Sequence, residues 1–134
     1  MALNDLIGQQ VAENPTLAIT DPGTPGATSD GVLSALNSGV CALTSAGAGE
    51  TRTLAVPSFL GQSILLVHDT DGGSITVDVA SGFNIAADTD LVFTAAGGHA
   101  HLIGVTVGGV LRWRLVSVGL TSGNAVQVDP AVNA

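Results

Sequence analysis

Residues 100–118, AHLIGVTVGGVLRWRLVSV, decide the fold, because two alternating apolar runs flank a two-residue turn. Glycines tolerate the positive φ angles of a tight hairpin turn, and Gly108-Gly109 supplies two of them. A two-residue turn also fixes the register, which places Val107 opposite Val110. The sequence therefore predicts an antiparallel hairpin with strands at 100–107 and 110–118.

One face of this hairpin is predicted to be the core face. It carries four large apolar side chains, namely Leu102, Leu111, Trp113 and Leu115. Gly104 lies opposite Trp113 in the predicted register and is expected to leave room for the indole ring.

The other face mixes aliphatic and cationic side chains: Ile103, Val105, Val107, Val110, Arg112 and Arg114. Such a face is too apolar for open water, whereas guanidinium groups are costly to bury unless carboxylates pair with them. An interface between subunits satisfies both requirements, since it covers the aliphatic residues and can supply the carboxylates. We therefore predict a protomer interface formed by Ile103, Val105, Arg112 and Arg114.

Upstream of the hairpin, short β-branched runs alternate with glycine-rich turns, which is typical of an antiparallel sandwich or barrel. Further strands are predicted at 51–56, 62–68, 74–79 and 90–94. The consecutive Leu65-Leu66-Val67 indicates a strand that is covered on both faces. The predicted fold class is mainly β, an antiparallel β-sandwich or β-barrel with an extended N-terminal arm that carries at most short helices.

The first 50 residues differ in composition, being rich in Gly, Pro, Ser, Ala and Thr. Residues 4–12 could form a short amphipathic helix with Leu6, Ile7 and Val11 on one stripe. A second, weak helix is predicted from Ser29 or Asp30 to Ser38-Gly39.

An extended arm is predicted between these two helices, because Asp21-Pro22-Gly23 and Thr24-Pro25-Gly26 are turn signals and a long structureless loop is uncommon inside a compact domain. Such an arm is expected to become ordered against a partner. The predicted organisation is thus an N-terminal arm at 1–50, followed at 51–134 by an antiparallel β domain with a C-terminal tail.

Charge excludes several classes of partner. The formal net charge is -8, and the only cations besides histidine are three arginines, with no lysine. Phosphate binding needs clustered Lys and Arg, so we predict neither nucleic-acid binding nor binding to an anionic membrane. Charged residues make up 10% of the chain, against about 25% in ordinary soluble domains. A surface with so few charges suits burial against other subunits.

No apolar run approaches the roughly 18 residues of a membrane span, and residues 1–5 lack the basic start of a signal peptide. The protein is therefore expected to be made in a cytoplasm. Cys41 is the only cysteine, which rules out an internal disulfide, and it is predicted to be a small buried hydrophobic residue.

The sequence contains two candidate metal sites. His99 and His101 have strand spacing and should point to one face, but two ligands are too few, and nothing places His68, Asp69 or Asp71 nearby. Residues 69–73, DTDGG, resemble the opening of a calcium loop, yet Ala80 occupies the position of the bidentate Glu, so a local turn is favoured. We predict no metal and no cofactor.

Catalytic patterns are equally weak. Asp88 and Asp90 could act as paired carboxylates, but the sequence signals no cleft or partner for them. No nucleophile elbow surrounds a serine, and the glycine-rich segments lack the Lys of a phosphate loop. We predict no catalytic residues and no small-molecule substrate, so the protein is not expected to be an enzyme.

Several segments resemble phage virion proteins of the capsid decoration, or cement, class. They are residues 50–57 (ETRTLAVP), Gly61-Gln62, 72–77 (GGSITV), Phe83-Asn84, 90–97 (DLVFTAAG) and 111–116 (LRWRLV). The resemblance runs from about Glu50 to Leu120.

The resemblance implies a homotrimer on the outside of a phage capsid, at three-fold or quasi-three-fold positions, with an arm reaching over the major capsid protein. Such a protein stabilises the expanded shell, belongs to the virion and is made in the cytoplasm of the bacterial host. On this hypothesis the N-terminal arm at 1–50 is the capsid-contact segment, and Leu6, Ile7 and Val11 dock in an apolar groove of the shell. A protein lacking residues 1–30 should then still trimerise but no longer bind expanded capsids.

Two other functions remain open. A trimeric tail-fibre or host-recognition β module would expose aromatic side chains or a polar pocket for a glycan. A small hydrolase would need a convergent set of acid, base or nucleophile groups, for which Asp88, Asp90, His99 and His101 are the candidates.

Overall fold

Strands dominate the computed structural model of the chain, which describes residues 17–27, 31–47, 49–70, 72–84, 89–121, 124–125 and 127–129. In these ranges the strands are β1 (Leu17–Ile19), β2 (Val32–Leu33), β3 (Gly39–Thr44), β4 (Glu50–Leu54), β5 (Ser63–Thr70), β6 (Ile75–Val79), β7 (Asp90–Phe93), β8 (His99–Val107), β9 (Val110–Thr121), β10 (Asn124–Ala125) and β11 (Gln127–Asp129). The described ranges contain no helix, so the mainly β class is confirmed.

The strands form two sheets. One has six strands in the order β1-β3-β5-β8-β9-β10, and the other has five in the order β11-β7-β6-β4-β2. Buried side chains from both sheets belong to one core cluster, which makes the fold a β-sandwich.

Both sheets are mixed, so the prediction of an antiparallel fold is correct only for the later strands. The pairs β1/β3, β3/β5, β2/β4 and β4/β6 are parallel. The chain alternates between the two sheets from β1 to β6, so each strand reaches its neighbour by way of a strand in the opposite sheet. Sheet neighbours in this half therefore run in the same direction. A parallel pair needs such a crossover.

The predicted boundary at residue 50 falls within the sandwich. Strands β1, β2 and β3 lie before Glu50, and β3 pairs with β5 inside the six-stranded sheet. The second predicted helix is wrong, because Val32–Leu33 form a strand parallel to β4. Residues 4–12, the first predicted helix, lie outside the described residues.

The hairpin has the predicted register. Val107 pairs with Val110, Gly104 with Trp113, and Leu102 with Leu115. A bulge between His101 and Leu102 then brings Ser117 opposite His101.

Trp113 is buried and its Nε1 donates a hydrogen bond to the Ala55 carbonyl, 2.7 Å away, which joins the sheets. Gly104 lies opposite Trp113, as predicted. The space above Gly104 was predicted to make room for the indole ring, but the nearest atoms there belong to other residues. The atoms nearest to a Cβ at that position would be the Phe59 carbonyl oxygen, at 2.8 Å, and Pro57.

A buried ion cluster joins the N-terminal segment to both sheets. The side chain of Arg52 is 0% exposed and lies 2.8 Å from Asp21 Oδ1 and 3.1 Å from Glu50 Oε1. Asp21 also accepts hydrogen bonds from the backbone amides of Gly23 and Thr44. The predicted turn at Asp21 is therefore present, and its carboxylate is also a partner of a cation 31 residues away.

In Glu50, hydrogen bonds lower the pKa of the carboxyl group by more than burial raises it. Burial by itself raises the pKa of its carboxyl, but hydrogen bonds from the amides of Gly47, Ala46 and Gly26 and from Arg52 lower the pKa to about 2. Arg52 is also more firmly charged than usual, because the hydrogen bonds and charges of its two carboxylate partners outweigh burial and raise its pKa.

Cys41 is fully buried on β3, as predicted. Burial, together with the nearby charge of Asp21, raises the pKa of its thiol to about 12, against the opposing effect of Arg52. The thiol is therefore protonated at neutral pH and shielded from reagents.

Candidate interaction surface

The solvent side of the six-stranded sheet, here called the outer face, carries the predicted interface residues. On β8 and β9, Ile103 pairs with Arg114 and Val105 pairs with Arg112, so all four side chains lie on this face. The alternation that buries Leu102 and Trp113 turns these four residues away from the core.

The outer face remains apolar beyond the hairpin. On the central strand β5 it includes Leu65 and Val67, and on β3 it includes Val40, which pairs with Leu65. These three side chains are half-buried by their neighbours on the sheet. The consecutive Leu65-Leu66-Val67 thus has one side chain in the core and two on the outer face, and only the core side is covered by the opposite sheet.

The two arginines of this face differ in their contacts. Arg114 is exposed, whereas Arg112 is half-buried and its guanidinium donates to the Ser81 carbonyl. In the part of the chain that the structure describes, neither has a carboxylate within ion-pair distance. Two cations therefore lie among aliphatic residues with no acidic partner there, on a chain whose net charge is -8.

A shallow cavity of about 310 Å³ opens on the same face beside β3 and β5. Ser63 and His101 line it, and Ser63 Oγ lies 2.6 Å from His101 Nε2. A serine and a histidine at this distance could form a nucleophile and base pair, but no described residue hydrogen-bonds to the other ring nitrogen of His101 to orient it. The pair is better suited to polar recognition than to catalysis.

His99 and His101 share the outer face, as the sequence predicted, since they pair with Val67 and Leu65. His68 cannot join them, because it points into the core and its Nε2 lies 3.1 Å from Ser45 Oγ. Across the described ranges, no three His, Cys, Asp or Glu side chains are close enough to hold a metal ion.

The turn at 69–73 is held by a residue that the sequence did not single out. Ser45 Oγ accepts a hydrogen bond from the Gly72 amide at 3.0 Å and donates to the Gly73 carbonyl at 2.6 Å. Asp69 is exposed and receives only a long hydrogen bond from Thr70. Asp71 lies outside the described residues.

The two carboxylates weighed as a catalytic pair, for which no catalytic role was predicted, also fall partly outside them. Asp88 is not described, and Asp90 is half-buried opposite Asp78 on the neighbouring strand. Leu6, Ile7 and Val11, the predicted capsid-contact residues, likewise lie outside the described ranges.

A second apolar surface was not predicted. One end of the sandwich, here called the apolar end, exposes six large hydrophobic side chains: Leu17, Val32, Leu36, Val56, Phe59 and Leu60. Leu36 is 79% exposed and Leu60 is 68% exposed. The sequence did not indicate this surface, because its residues come from three loops and strand ends that are separate along the chain.

Hydrogen bonds hold two of these loops together. Ser58 Oγ donates to the Ala35 carbonyl at 2.7 Å, and the buried Gln62 amide donates to the carbonyls of Ala35 and Asn37. The loops that carry the exposed Leu36 and Leu60 are therefore joined to each other by hydrogen bonds.

Comparison with protein-family models gives no match for this chain, and comparison with curated proteins gives none either. The described ranges contain no helix that is long and apolar enough to cross a membrane.

Proposed function

We propose that the protein is a structural virion component, a decoration or cement protein that binds the outside of a phage capsid as a trimer and stabilises the expanded shell. The observation that carries this proposal is the outer face, which carries aliphatic side chains of β3, β5 and β8 together with two arginines of β9 that have no acidic partner in the described residues. A surface of this kind is unfavourable in water and favourable in an assembly.

The outer face is the proposed contact between protomers. Ile103 and Val105 lose water against a sister molecule, and Arg112 and Arg114 meet carboxylates that it contributes. Eleven Asp and Glu side chains per chain offer such partners, and Asp69 is exposed at the end of β5 in the same sheet. Arginine suits this role because its planar guanidinium can hold a carboxylate with two hydrogen bonds.

The segment that contains Leu6, Ile7 and Val11 is the proposed contact with the major capsid protein. A protein that binds the expanded lattice and not the unexpanded one stabilises the expanded state by mass action. Three linked protomers add avidity without any new type of contact. No chemical step is required, in keeping with the absence of an oriented catalytic group around Ser63 and His101 in the described residues.

The mass of the native protein in solution tests the trimer. We expect three chains for the wild type and a shift toward monomer when Arg112 and Arg114 are both replaced by Gln. An Asp78→Asn variant, which removes a charge from an exposed position of the other sheet, is the matched control and should remain trimeric. A monomeric wild type at micromolar concentration would contradict the proposed interface.

Co-sedimentation with expanded and unexpanded capsids tests the shell contact. The truncation must end before Leu17, not at Asp30, because β1 belongs to the six-stranded sheet and Asp21 binds Arg52. We expect a protein that lacks residues 1–13 to trimerise and to lose binding to expanded capsids. Undiminished binding would show that the N-terminal segment is not the contact.

One observation favours a second function, a trimeric tail-fibre or host-recognition module. The cavity beside Ser63 and His101 offers polar groups at which a glycan hydroxyl could bind, and Phe59 is partly exposed elsewhere on the molecule. Glycan-array binding that disappears in the Ser63→Ala variant would favour this function. Binding unaffected by Ser63→Ala, or no binding, would leave this function without support.

A further inference from the structure

The apolar end and the outer face meet along one edge of the molecule. Strand β5 begins on the outer face with Ser63, shortly after the loop that exposes Leu60. Ser38 lines both the cavity of about 310 Å³ on the outer face and a groove of about 190 Å³ beside Leu36. The two surfaces are therefore continuous, although one is the face of a sheet and the other is an end of the sandwich.

Both surfaces are poor in carboxylates. The segments that form the apolar end, 17–19, 32–37 and 56–62, contain no charged residue. The outer face carries two arginines, and its exposed Asp69 lies at the far end of β5. Each chain has a net charge of -8, so two copies repel each other, and contact between them costs least where neither presents a carboxylate. A second copy is therefore accommodated better at these two surfaces than on the acidic remainder of the molecule.

A closed trimer needs two different contact surfaces on every protomer. A two-fold contact joins the same surface of both copies and closes as a dimer, whereas a three-fold ring joins one surface of each copy to a different surface of the next. The outer face therefore cannot close a trimer by packing against itself. In a compact ring the two surfaces adjoin where the protomer meets the axis, and the outer face and the apolar end adjoin at Ser38.

We infer that the apolar end of one protomer packs against the outer face of the next, with the edge between the two surfaces at the three-fold axis. The inference rests on the proposed function for the existence of a trimer, and it adds the surface to which the outer face binds. Leu36 and Leu60, the two most exposed side chains of the apolar end, lose water against the aliphatic residues around Leu65. Arg112 and Arg114 lie beside this contact and face the acidic remainder of the next protomer.

The native mass of a variant of the apolar end tests this contact. Leu36→Glu/Leu60→Glu adds two charges to the apolar end and should convert the trimer to monomer. Both side chains are mostly exposed, so the variant should fold, which the fluorescence of the buried Trp113 checks. The control Thr94→Glu/Ala96→Glu adds the same two charges to the exposed loop before β8, at the opposite end of the sandwich, and should remain trimeric. A trimeric Leu36→Glu/Leu60→Glu would overturn the inference and leave the proposed trimer intact, whereas a monomeric wild type would contradict the trimer itself.

A mixing experiment distinguishes this contact from one in which the outer face packs against itself. Ile103→Glu adds a carboxylate to the outer face opposite Arg114, which can pair with it in the monomer, and should also abolish the trimer. At high protein concentration, an equimolar mixture of Ile103→Glu with Leu36→Glu/Leu60→Glu should contain a two-chain species. It forms because the intact apolar end of the first variant can bind the intact outer face of the second.

Native mass spectrometry identifies this species, since the two variants differ in mass. We expect one chain of each variant in it, and no association of either variant alone. A mixture that stays monomeric, or a two-chain species made of identical chains, would overturn the inference.

Discussion

Replacement of Arg52 by Met should destabilise the fold severely, although Arg52 takes no part in the proposed interfaces. The substitution keeps much of the aliphatic length of the side chain and removes the guanidinium. Two carboxylates then lose their cation while they remain buried, since the side chain of Asp21 is 12% exposed and that of Glu50 is 1% exposed. Hydrogen bonds from Arg52 to the carbonyls of Thr44 and Thr51 are lost as well.

The expected loss of stability depends on the hydrogen bonds that Asp21 and Glu50 keep after Arg52 is replaced. Removal of one partner from a buried ion pair costs about 3–5 kcal/mol. Backbone amides continue to donate to both carboxylates, two to Asp21 and at least two to Glu50, so the lower end of this range applies. We expect a loss of about 3 kcal/mol, a large share of the roughly 5–15 kcal/mol that a domain has in total.

Urea unfolding followed by fluorescence measures this loss, because Trp113 is the only tryptophan and is buried in the core. With a urea dependence of about 2 kcal/mol per molar, the midpoint should fall by about 1.5 M. All samples need the same protein concentration, since assembly adds apparent stability. The control Asp78→Asn changes an exposed charged residue outside the outer face and should stay within about 0.5 kcal/mol of the wild type. A loss below about 1 kcal/mol for Arg52→Met would refute the reasoning.

Three further predictions concern single residues. Because the pKa of Glu50 is lowered to about 2, its stabilising effect is complete above its ordinary value of 4.5 and is lost as the pH falls toward 2. Wild-type urea midpoints should therefore fall more steeply over this range than those of Glu50→Gln, and parallel curves would contradict the cause given. Cys41 should resist a thiol-specific reagent until urea unfolds the protein, and rapid labelling of the native protein would show that β3 opens readily. Gly104→Ala should lower the free energy of unfolding by roughly 1–3 kcal/mol, and with it the urea midpoint, because the new Cβ would lie 2.8 Å from the Phe59 carbonyl oxygen. An unchanged midpoint would show that the loop at Phe59 shifts freely.

Local rules were enough to predict the hairpin. A two-residue turn fixes every pair from Val107 and Val110 back to Leu102 and Leu115, and the structure has this register. The alternation in β6 was equally readable, because Val77 is buried and Asp78 is exposed. These elements depend on neighbours a few residues away, which a pattern in the sequence can reveal.

The parallel strands could not be predicted in this way. Strand β3 reads GVCALT, with few β-branched residues and no turn that ties it to a partner. Its partner β5 begins about 20 residues later, beyond a strand of the opposite sheet. Nothing local encodes such a pairing, so the strands at Val32–Leu33 and Gly39–Thr44 were not predicted.

The inward direction of Arg52 was missed for a related reason. A charged side chain in a strand is expected to face water, because burial of an unpaired charge is costly. That cost is offset here by Asp21, which the chain brings back from 31 residues away. The candidate surface was easier to predict than this cluster, since the outer-face residues Ile103 and Arg114 follow from the hairpin register alone.

The distribution of apolar residues is the strongest physical reason to expect an assembly. A sandwich needs one apolar face per strand, and the core side of β5 already supplies Ile64 and Leu66, both fully buried. Leu65 and Val67 lie on the other side, where the described residues supply no second layer, so packing of the core does not account for them. Polar residues there would fold equally well and be better hydrated. Aliphatic residues on this side gain free energy only when something covers them, and a sister protomer that presents carboxylates to the arginines of the same face fits both requirements.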